Sequence, residues 1–304
     1  MPSVADARRF ALDRFAQSAV LKSHNRSLLL LDADVLLQHF LHKPRAWLFA
    51  HDTTDISDIW QLFCAAVEQR CTGLPIAYLT GTQEFWGLPF HVTPDVLIPK
   101  PDTELLVERS LTIIREKAAD ATAPISILDP CTGSGCVIIS ILHTLDAEGI
   151  KNVYCTAADI SPAALTIART NAQNILSLEA QERLCIREGD MRTLPALQTR
   201  FDLIAANPPY VPSALTQELL QDGRSEPVLA LDGGSDGLDF IRILTNNTPM
   251  GLHDCGVLLS EVGEYHARDA GRLFETAGFS AVRIHQDWTN RDRLIEGIWD
   301  DTKS

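Results

Sequence analysis

Ile125-Ser126-Ile127-Leu128, followed at once by Asp129-Pro130-Cys131-Thr132-Gly133-Ser134-Gly135 and then by the apolar run from Cys136 to Leu145, is the stretch on which the fold turns. The first part reads as a buried strand, the second as a glycine-containing loop and the third as a helix. Glycines there let the chain turn tightly and let a ligand lie against bare backbone. The pattern then recurs: Val153 to Ala158 reads as strand and Pro162 to Leu176 as helix, with further strands expected at 183–187, 202–206, 256–262, 281–285 and 294–299. Such alternation predicts an α/β domain whose mostly parallel sheet is covered on both faces. Ligands bind such sheets beyond the carboxyl ends of the strands.

Working outward, residues 1–78 read as a small helical domain, because Val4 to Ser18, Asp32 to Phe40 and Ile56 to Arg70 each space apolar residues by three and four. Leu36, Leu37, Phe40 and Leu41 form one expected buried stripe, and Asp55 or Ser57 is the expected cap of the third helix. Residues 79–98 read as a linker: Leu74 to Gly81 and Glu84 to Val92 are expected to form a β-hairpin with a glycine-containing turn. Pro99-Lys100-Pro101-Asp102-Thr103-Glu104 then marks a break and a helix start, opening a domain over residues 99–304.

The 304 residues suffice for one small and one ordinary domain, and 45% hydrophobic against 22% charged residues is a globular composition. No apolar run approaches the roughly 20 residues needed to span a bilayer, and Ala5-Asp6-Ala7-Arg8-Arg9 near the N-terminus comes without an apolar h-region, so no secretory signal is expected. Seven cysteines without a CxxC pair fit reduced thiols in a cytoplasm better than a disulfide frame or a zinc site. The nine histidines are scattered, and His91, His143 and His266 have no partner at ligand spacing, so no metal site is expected. Residues 1–78 carry equal numbers of acidic and basic side chains, so the whole formal charge of −14 lies downstream. Phosphate backbones repel such a surface, which disfavours a nucleic-acid substrate.

The glycine loop favours S-adenosylmethionine over a dinucleotide on two details. Asp129 precedes the glycines, where it meets an ammonium group better than a pyrophosphate, and Ile138 stands where Gly-x-Gly-x-x-Gly requires its third glycine. Asp159, ending the second strand, is placed to accept hydrogen bonds from vicinal ribose hydroxyls. Gly189-Asp190-Met191 ends the third strand, where Asp190 can bond an adenine edge and Met191 can cover its face.

The second decisive stretch is Asn207-Pro208-Pro209-Tyr210, at the end of the strand expected over 202–206. Consecutive prolines fix φ and carry no N-H, so their carbonyls have no donor within the motif. The Asn207 amide oxygen, an adjacent carbonyl and the flat face of Tyr210 form a grip for a planar NH2 group. A glutamine amide and an adenine amine both present one; the stretch Gln217 to Glu226, with Arg224 its single basic residue, argues for the amide.

These residues resemble the N5-glutamine methyltransferases, and most closely the branch acting on peptide chain release factors. The resemblance covers nearly the whole chain and is carried by Pro75 to Gly81, Glu84 to Gly87, Leu97 to Glu104, the glycine loop, Asn207 to Tyr210, Glu226-Pro227 and Asp236-Gly237. It implies a seven-strand, Rossmann-like class I methyltransferase domain preceded by a helical bundle and a hairpin linker. It implies methylation of the glutamine side-chain nitrogen in the Gly-Gly-Gln motif of class I release factors, with S-adenosylmethionine as donor. Cys131, Thr132, Gly133, Ser134, Gly135, Asp159, Met191 and Asn207 then fall on cofactor positions, and Asn207, Pro208, Pro209 and Tyr210 on the glutamine site. Asn207 and the Pro208 carbonyl are expected to accept the two amide protons, Tyr210 to stack on the substrate, and Phe85 with Trp86 to wall out water. Two residues depart from the family pattern: Lys100 replaces an arginine and Cys131 the first glycine of the loop, where it needs a negative φ. The string Cys131 to Cys136 also resembles the sibling enzyme that methylates a large-subunit ribosomal protein. The protein is expected to act as a monomer. An adenine methyltransferase and a silent cofactor-binding subunit are the alternatives from other classes.

Overall fold

A computed structural model of the chain describes residues 1–120, 123–196, 199–221 and 225–301. Two compact units emerge, Met1–Thr82 with Gln217–Ser225, and Gln83–Thr216 with Glu226–Ser304.

The first unit is helical. Helix α1 (Val4–Gln17) starts from a capping box, with Asp6 N donating to Ser3 Oγ at 3.2 Å and Ser3 N to Asp6 Oδ2 at 3.0 Å. Helix α2 (Arg26–Leu41) begins earlier than its apolar spacing suggests, because Asn25 caps it by accepting from Ser27 N. Short α3 (Arg45–Ala50), α4 (Trp60–Cys71) and α5 (Ile76–Thr80) follow. Leu36 and Leu37 are fully buried with Phe15, Leu48 and Phe63, whereas Phe40 and Leu41 only border this core. Asp55 closes a turn onto Ser57 rather than capping α4, which starts from Ile59 without a side-chain cap.

The hairpin differs from expectation. Ile76–Thr80 is helix α5, opened by Pro75 and ended by Gly81 at φ 70°, the ordinary punctuation of a helix. The hairpin is β1 (Thr82–Phe85) with β2 (Leu88–His91), joined by Trp86 and Gly87 at φ 56° and 70°. Two positive φ values in a two-residue loop match the right-handed twist of the strands.

The larger unit alternates as expected. Helix α6 (Glu104–Asp120) leads into β3 (Ile125–Asp129), α7 (Cys136–Ala147), β4 (Val153–Asp159) and α8 (Pro162–Ile175). Then come α9 (Leu178–Gln181), β5 (Leu184–Glu188), β6 (Phe201–Ala206), α10 (Ser213–Gln221), whose residues from Gln217 onward are counted in the first unit, and α11 (Asp239–Asn247). It closes with β7 (Leu252–Glu261), α12 (Ala267–Thr276), β8 (Ser280–Gln286) and β9 (Asp292–Ile298). The seven-stranded sheet has the order β5-β4-β3-β6-β7-β9-β8, parallel through β7, with β9 antiparallel to both its neighbours. One hydrophobic cluster, around Leu142, Val153 and Leu203, and another, around Ile241, Leu258 and Phe274, hold its helices. From β3 the chain order runs one way through β4 to β5 and the other way through β6 to β7. This reversal leaves a crevice at the carboxyl ends of β3 and β6.

Candidate active site

A cleft of about 240 Å³ lies at that crevice, and the residues ending four strands meet around it. Asp129 ends β3, Asp159 ends β4, Gly189 and Asp190 follow β5, and Asn207 follows β6.

The glycine loop is built as its sequence demands. Gly133 and Gly135 sit at φ 52° and 81°, and a Cβ on Gly135 would fall 2.6 Å from Ile139. Cys131 does not adopt a positive φ, so a side chain is tolerated at this position of the loop. The loop is tied to β4 by Thr132 N donating to the Ala158 carbonyl at 2.9 Å and Gly133 N to Asp159 Oδ2 at 2.8 Å. Ser161 N donates to the other Asp159 oxygen at 2.9 Å. Each oxygen keeps a further lone pair for a ligand.

Asp129 is 2% exposed, and its Oδ2 has no hydrogen-bond partner among the described residues. Burial pushes this carboxyl up to about 7. Burial likewise raises Asp159, and it pushes the Cys136 thiol up to about 12. A cleft with one buried carboxylate that accepts only from Cys131 N and leaves Oδ2 without a partner, beside a second carboxylate with a lone pair spare on each oxygen, suits a ligand carrying a cation beside a vicinal diol, and rejects a pyrophosphate. S-adenosylmethionine has such a cation and such a diol, and the residues present fit it.

Met191 lines the cleft and belongs to the hydrophobic cluster that also holds Leu128 and Ile241. Asp190 lines it too, but Arg192 holds its carboxylate, with Nε at 2.9 Å from Oδ1 and 2.8 Å from Oδ2, and keeps it below the usual range.

In the proline motif, Asn207 and Pro209 line the cleft. Asn207 Nδ2 donates to Thr103 Oγ1 at 3.1 Å. Among the described residues nothing donates to Asn207 Oδ1 or to the Pro208 carbonyl. The motif rests on a glycine bed: a Cβ at Gly233 would lie 2.7 Å from Tyr210 Cα, and one at Gly237, φ 74°, only 2.4 Å from the Tyr210 carbonyl oxygen. Val211 N donates to Leu231 and Gly233 N to Val211, which locks the two loops together.

Five expected placements change. Tyr210 is not part of the cleft lining; its hydroxyl donates to Glu261 Oε1 at 3.0 Å, and the Glu261 charge, with burial, holds the phenol well above its ordinary range. Pro208 is buried and Gly135 is the N-cap of α7, and neither belongs to the cleft lining. Phe85 is no water-excluding wall either: it is 1% exposed, packs edge-on against Phe90 at 6.0 Å, and belongs to the core. Trp86 is turned to α7, its Nε1 donating to Thr144 Oγ1 at 3.0 Å. The tight positive-φ turn at Trp86-Gly87 sends both rings into the domain.

Four residues absent from the sequence reading of the site help build it. Thr103 and Glu261 stand behind Asn207 and Tyr210. Asn171 clamps the hairpin to the glycine loop, accepting from His91 N at 2.7 Å and donating to the carbonyls of Ser134 and His91. Glu226, 5% exposed, pairs with Lys100 at 2.7 Å beside the cleft. An ionisable residue ending the apolar run Val257-Leu258-Leu259-Ser260 was the available signal for Glu261.

The family described as the PrmC N-terminal domain matches residues 16–81, and the one described as N-6 DNA Methylase matches residues 98–246. The release factor glutamine methyltransferase of Clostridium acetobutylicum is 34% identical over 92% of this chain and 95% of its own length. That of Moorella thermoacetica is 39% identical over 87% of this chain and 89% of its own. Among solved structures, the hMettl16 catalytic domain in complex with MAT2A 3'UTR hairpin 1 gives a TM-score of 0.54 over 77% of this chain and 80% of that one. At 12% identity this likeness concerns the fold alone. With 34% and 39% identity to two of its members over 92% and 87% of its length, the chain belongs to the release factor glutamine methyltransferases, a family of S-adenosylmethionine-dependent protein methyltransferases.

Proposed function

We propose that this enzyme methylates the side-chain nitrogen of the glutamine in the Gly-Gly-Gln motif of class I peptide chain release factors. The observation that carries the reading is Asn207, whose Nδ2 is spoken for by Thr103 while Oδ1 is left free beside an acidic cleft. Asp129 holds the donor's ammonium group and Asp159 its ribose hydroxyls, with Met191 against the adenine. S-adenosylmethionine supplies an electrophilic methyl on a sulfonium centre.

An amide nitrogen is a poor nucleophile because its lone pair is delocalised into the carbonyl. Asn207 Oδ1 and the Pro208 carbonyl accept its two hydrogens, which draws electron density toward nitrogen and turns its lone pair toward the methyl. As the N–C bond forms the nitrogen becomes acidic, and its proton leaves through the same acceptors to water, so no strong general base is required. Tyr210, anchored by Glu261, holds the loop that carries both acceptors.

Residues 1–78 serve as the partner-capturing domain and residues 79–98 as its linker, and the enzyme works as a cytoplasmic monomer. The thiols of all seven cysteines are free, which suits a reducing compartment, and among the described residues no helix is long and apolar enough to cross a membrane.

The test is incubation with purified release factor and, separately, with the large-subunit ribosomal protein and with DNA, followed by mass mapping of the methyl group. Modification of the Gly-Gly-Gln glutamine is expected. Methyl transfer to the ribosomal protein alone would move the substrate to the sibling reaction, and transfer to adenine would replace the amide reading.

A further inference from the structure

We infer that the segment around α3 carries a cationic docking surface for an acidic stretch of the folded protein substrate, built on Phe49 by two arginines that share one buried carboxylate. The inference deepens the partner-capturing role proposed above for residues 1–78 and rests on that reading. Asp34, on α2, is fully buried. Arg8 of α1 donates through Nε to its Oδ1 at 2.7 Å, and Arg45 of α3 donates through Nε to its Oδ2 at 2.9 Å. One guanidinium is enough to compensate a buried carboxylate, so the second leaves a surplus positive charge.

That surplus is held at the surface. Arg8 is largely buried, whereas the Arg45 side chain is 45% exposed. Both guanidiniums lie over the ring of Phe49, with Cζ 4.6 and 5.5 Å from its centroid, and Phe49 itself is 59% exposed. Arg8 Nη2 is buried without a hydrogen-bond partner among the described residues, and the Phe49 ring is the electron-rich group beside this guanidinium. A staple inside a helical bundle needs one arginine and no exposed ring. Here a planar cation is fixed in place by Asp34 and Phe49 while Arg45 engages Asp34 through Nε alone, which leaves its outer edge for a carboxylate to meet. Lys43 extends the surface, its Nζ 5.9 Å from the centroid of Trp47. Between Asp34 and Asp52 the chain has no acidic residue to cancel these charges.

Charge also selects the partner. Residues 79–304 carry the entire formal charge of −14, so an acidic stretch meets repulsion there and attraction here. A phosphate backbone, charged at every unit of its length, suffers more from that repulsion than a short run of carboxylates does, which favours a protein over a nucleic acid.

The test uses the full-length enzyme with purified release factor and compares Arg45→Gln, Lys43→Glu and Phe49→Ser with wild type. Lys43 and Phe49 are exposed, so their variants report on the surface even where Arg45→Gln disturbs the bundle. KM for release factor is expected to rise about tenfold in Arg45→Gln and about threefold or more in the other two, with kcat retained. Added salt should raise the wild-type KM more than that of Lys43→Glu. A short Gly-Gly-Gln peptide without acidic residues should be methylated equally by all four proteins. Carbodiimide, which joins lysine to carboxylate, should link Lys43 to an aspartate or glutamate of the release factor, as mapped by mass spectrometry. Wild-type KM in Lys43→Glu and Phe49→Ser would overturn the surface, and so would lost RNA retention with no change in KM, which would assign it to a nucleic acid. A wild-type enzyme that left release factor unmethylated would instead remove the reading on which the surface rests.

Discussion

Asp129→Asn should make the protein more stable and a worse binder of its cofactor, and both effects should depend on pH. Burial raises the Asp129 carboxyl from 3.8 to about 7, a displacement worth about 4 kcal/mol against the ionised form. The sign follows from linkage. A carboxyl whose folded pKa lies above its unfolded one contributes stability at low pH, and that contribution is lost as pH rises from about 4 through about 7. At pH 8 the ligand-free wild type therefore carries the full cost, and Asp129→Asn, an isostere that cannot ionise, should gain up to about 4 kcal/mol in denaturant unfolding. At pH 4 the two proteins should differ little. Binding runs the other way. The unpartnered Oδ2 is the group proposed to meet the donor's ammonium, and a hydrogen bond to a charged group is worth about 1.5–3 kcal/mol, so affinity for S-adenosylmethionine should fall roughly 10- to 100-fold. In the wild type the proton must leave before the cation is held. Affinity should weaken about tenfold between pH 8 and pH 6, with proton release on binding. Calorimetry in buffers of different ionisation enthalpy measures both quantities. Unchanged affinity in Asp129→Asn, or the same pH dependence in variant and wild type, would refute the reasoning.

Three further outcomes are expected. Asn207→Ala should lower kcat by about 10²–10³, the usual cost of one oriented acceptor or donor at the reacting centre, while titration finds cofactor affinity nearly intact; an equal loss of both would count against its role. Asp159→Ala should weaken cofactor binding by roughly tenfold or more as the ribose contacts go, with kcat at saturation much less affected, and an unaltered binding isotherm would reject the ribose assignment. Phe85→Ala should cost about 3–5 kcal/mol in unfolding free energy, because its ring is core. A selective rise in KM for the protein substrate at full stability would restore Phe85 to the substrate site.

The sequence by itself determined the fold and the two loops that matter, because both depend on local chemistry. Alternating strand and helix patterns predict a parallel sheet wherever they occur. Glycines at 133 and 135 and prolines at 208 and 209 restrict the backbone whatever surrounds them. The short apolar segment Ile76–Thr80 was misread as strand because five residues cannot separate the two periods, although Pro75 and Gly81 already punctuated a helix. Tertiary structure alone decided which partners stand behind the site. Thr103 and Asn207 are 104 residues apart, Tyr210 and Glu261 51 apart; no local pattern links them, and only the strand order brings their ends to one crevice. The same holds for Phe85, whose aromatic character suited a substrate wall as well as a core and whose place was settled by the twist of a two-residue turn. Asn207-Pro208-Pro209-Tyr210 could therefore be read in the sequence as a candidate grip for a planar amide. The partner of its asparagine, Thr103, comes from 104 residues away in the chain, since a polar side chain takes its orientation from the partners that fold around it.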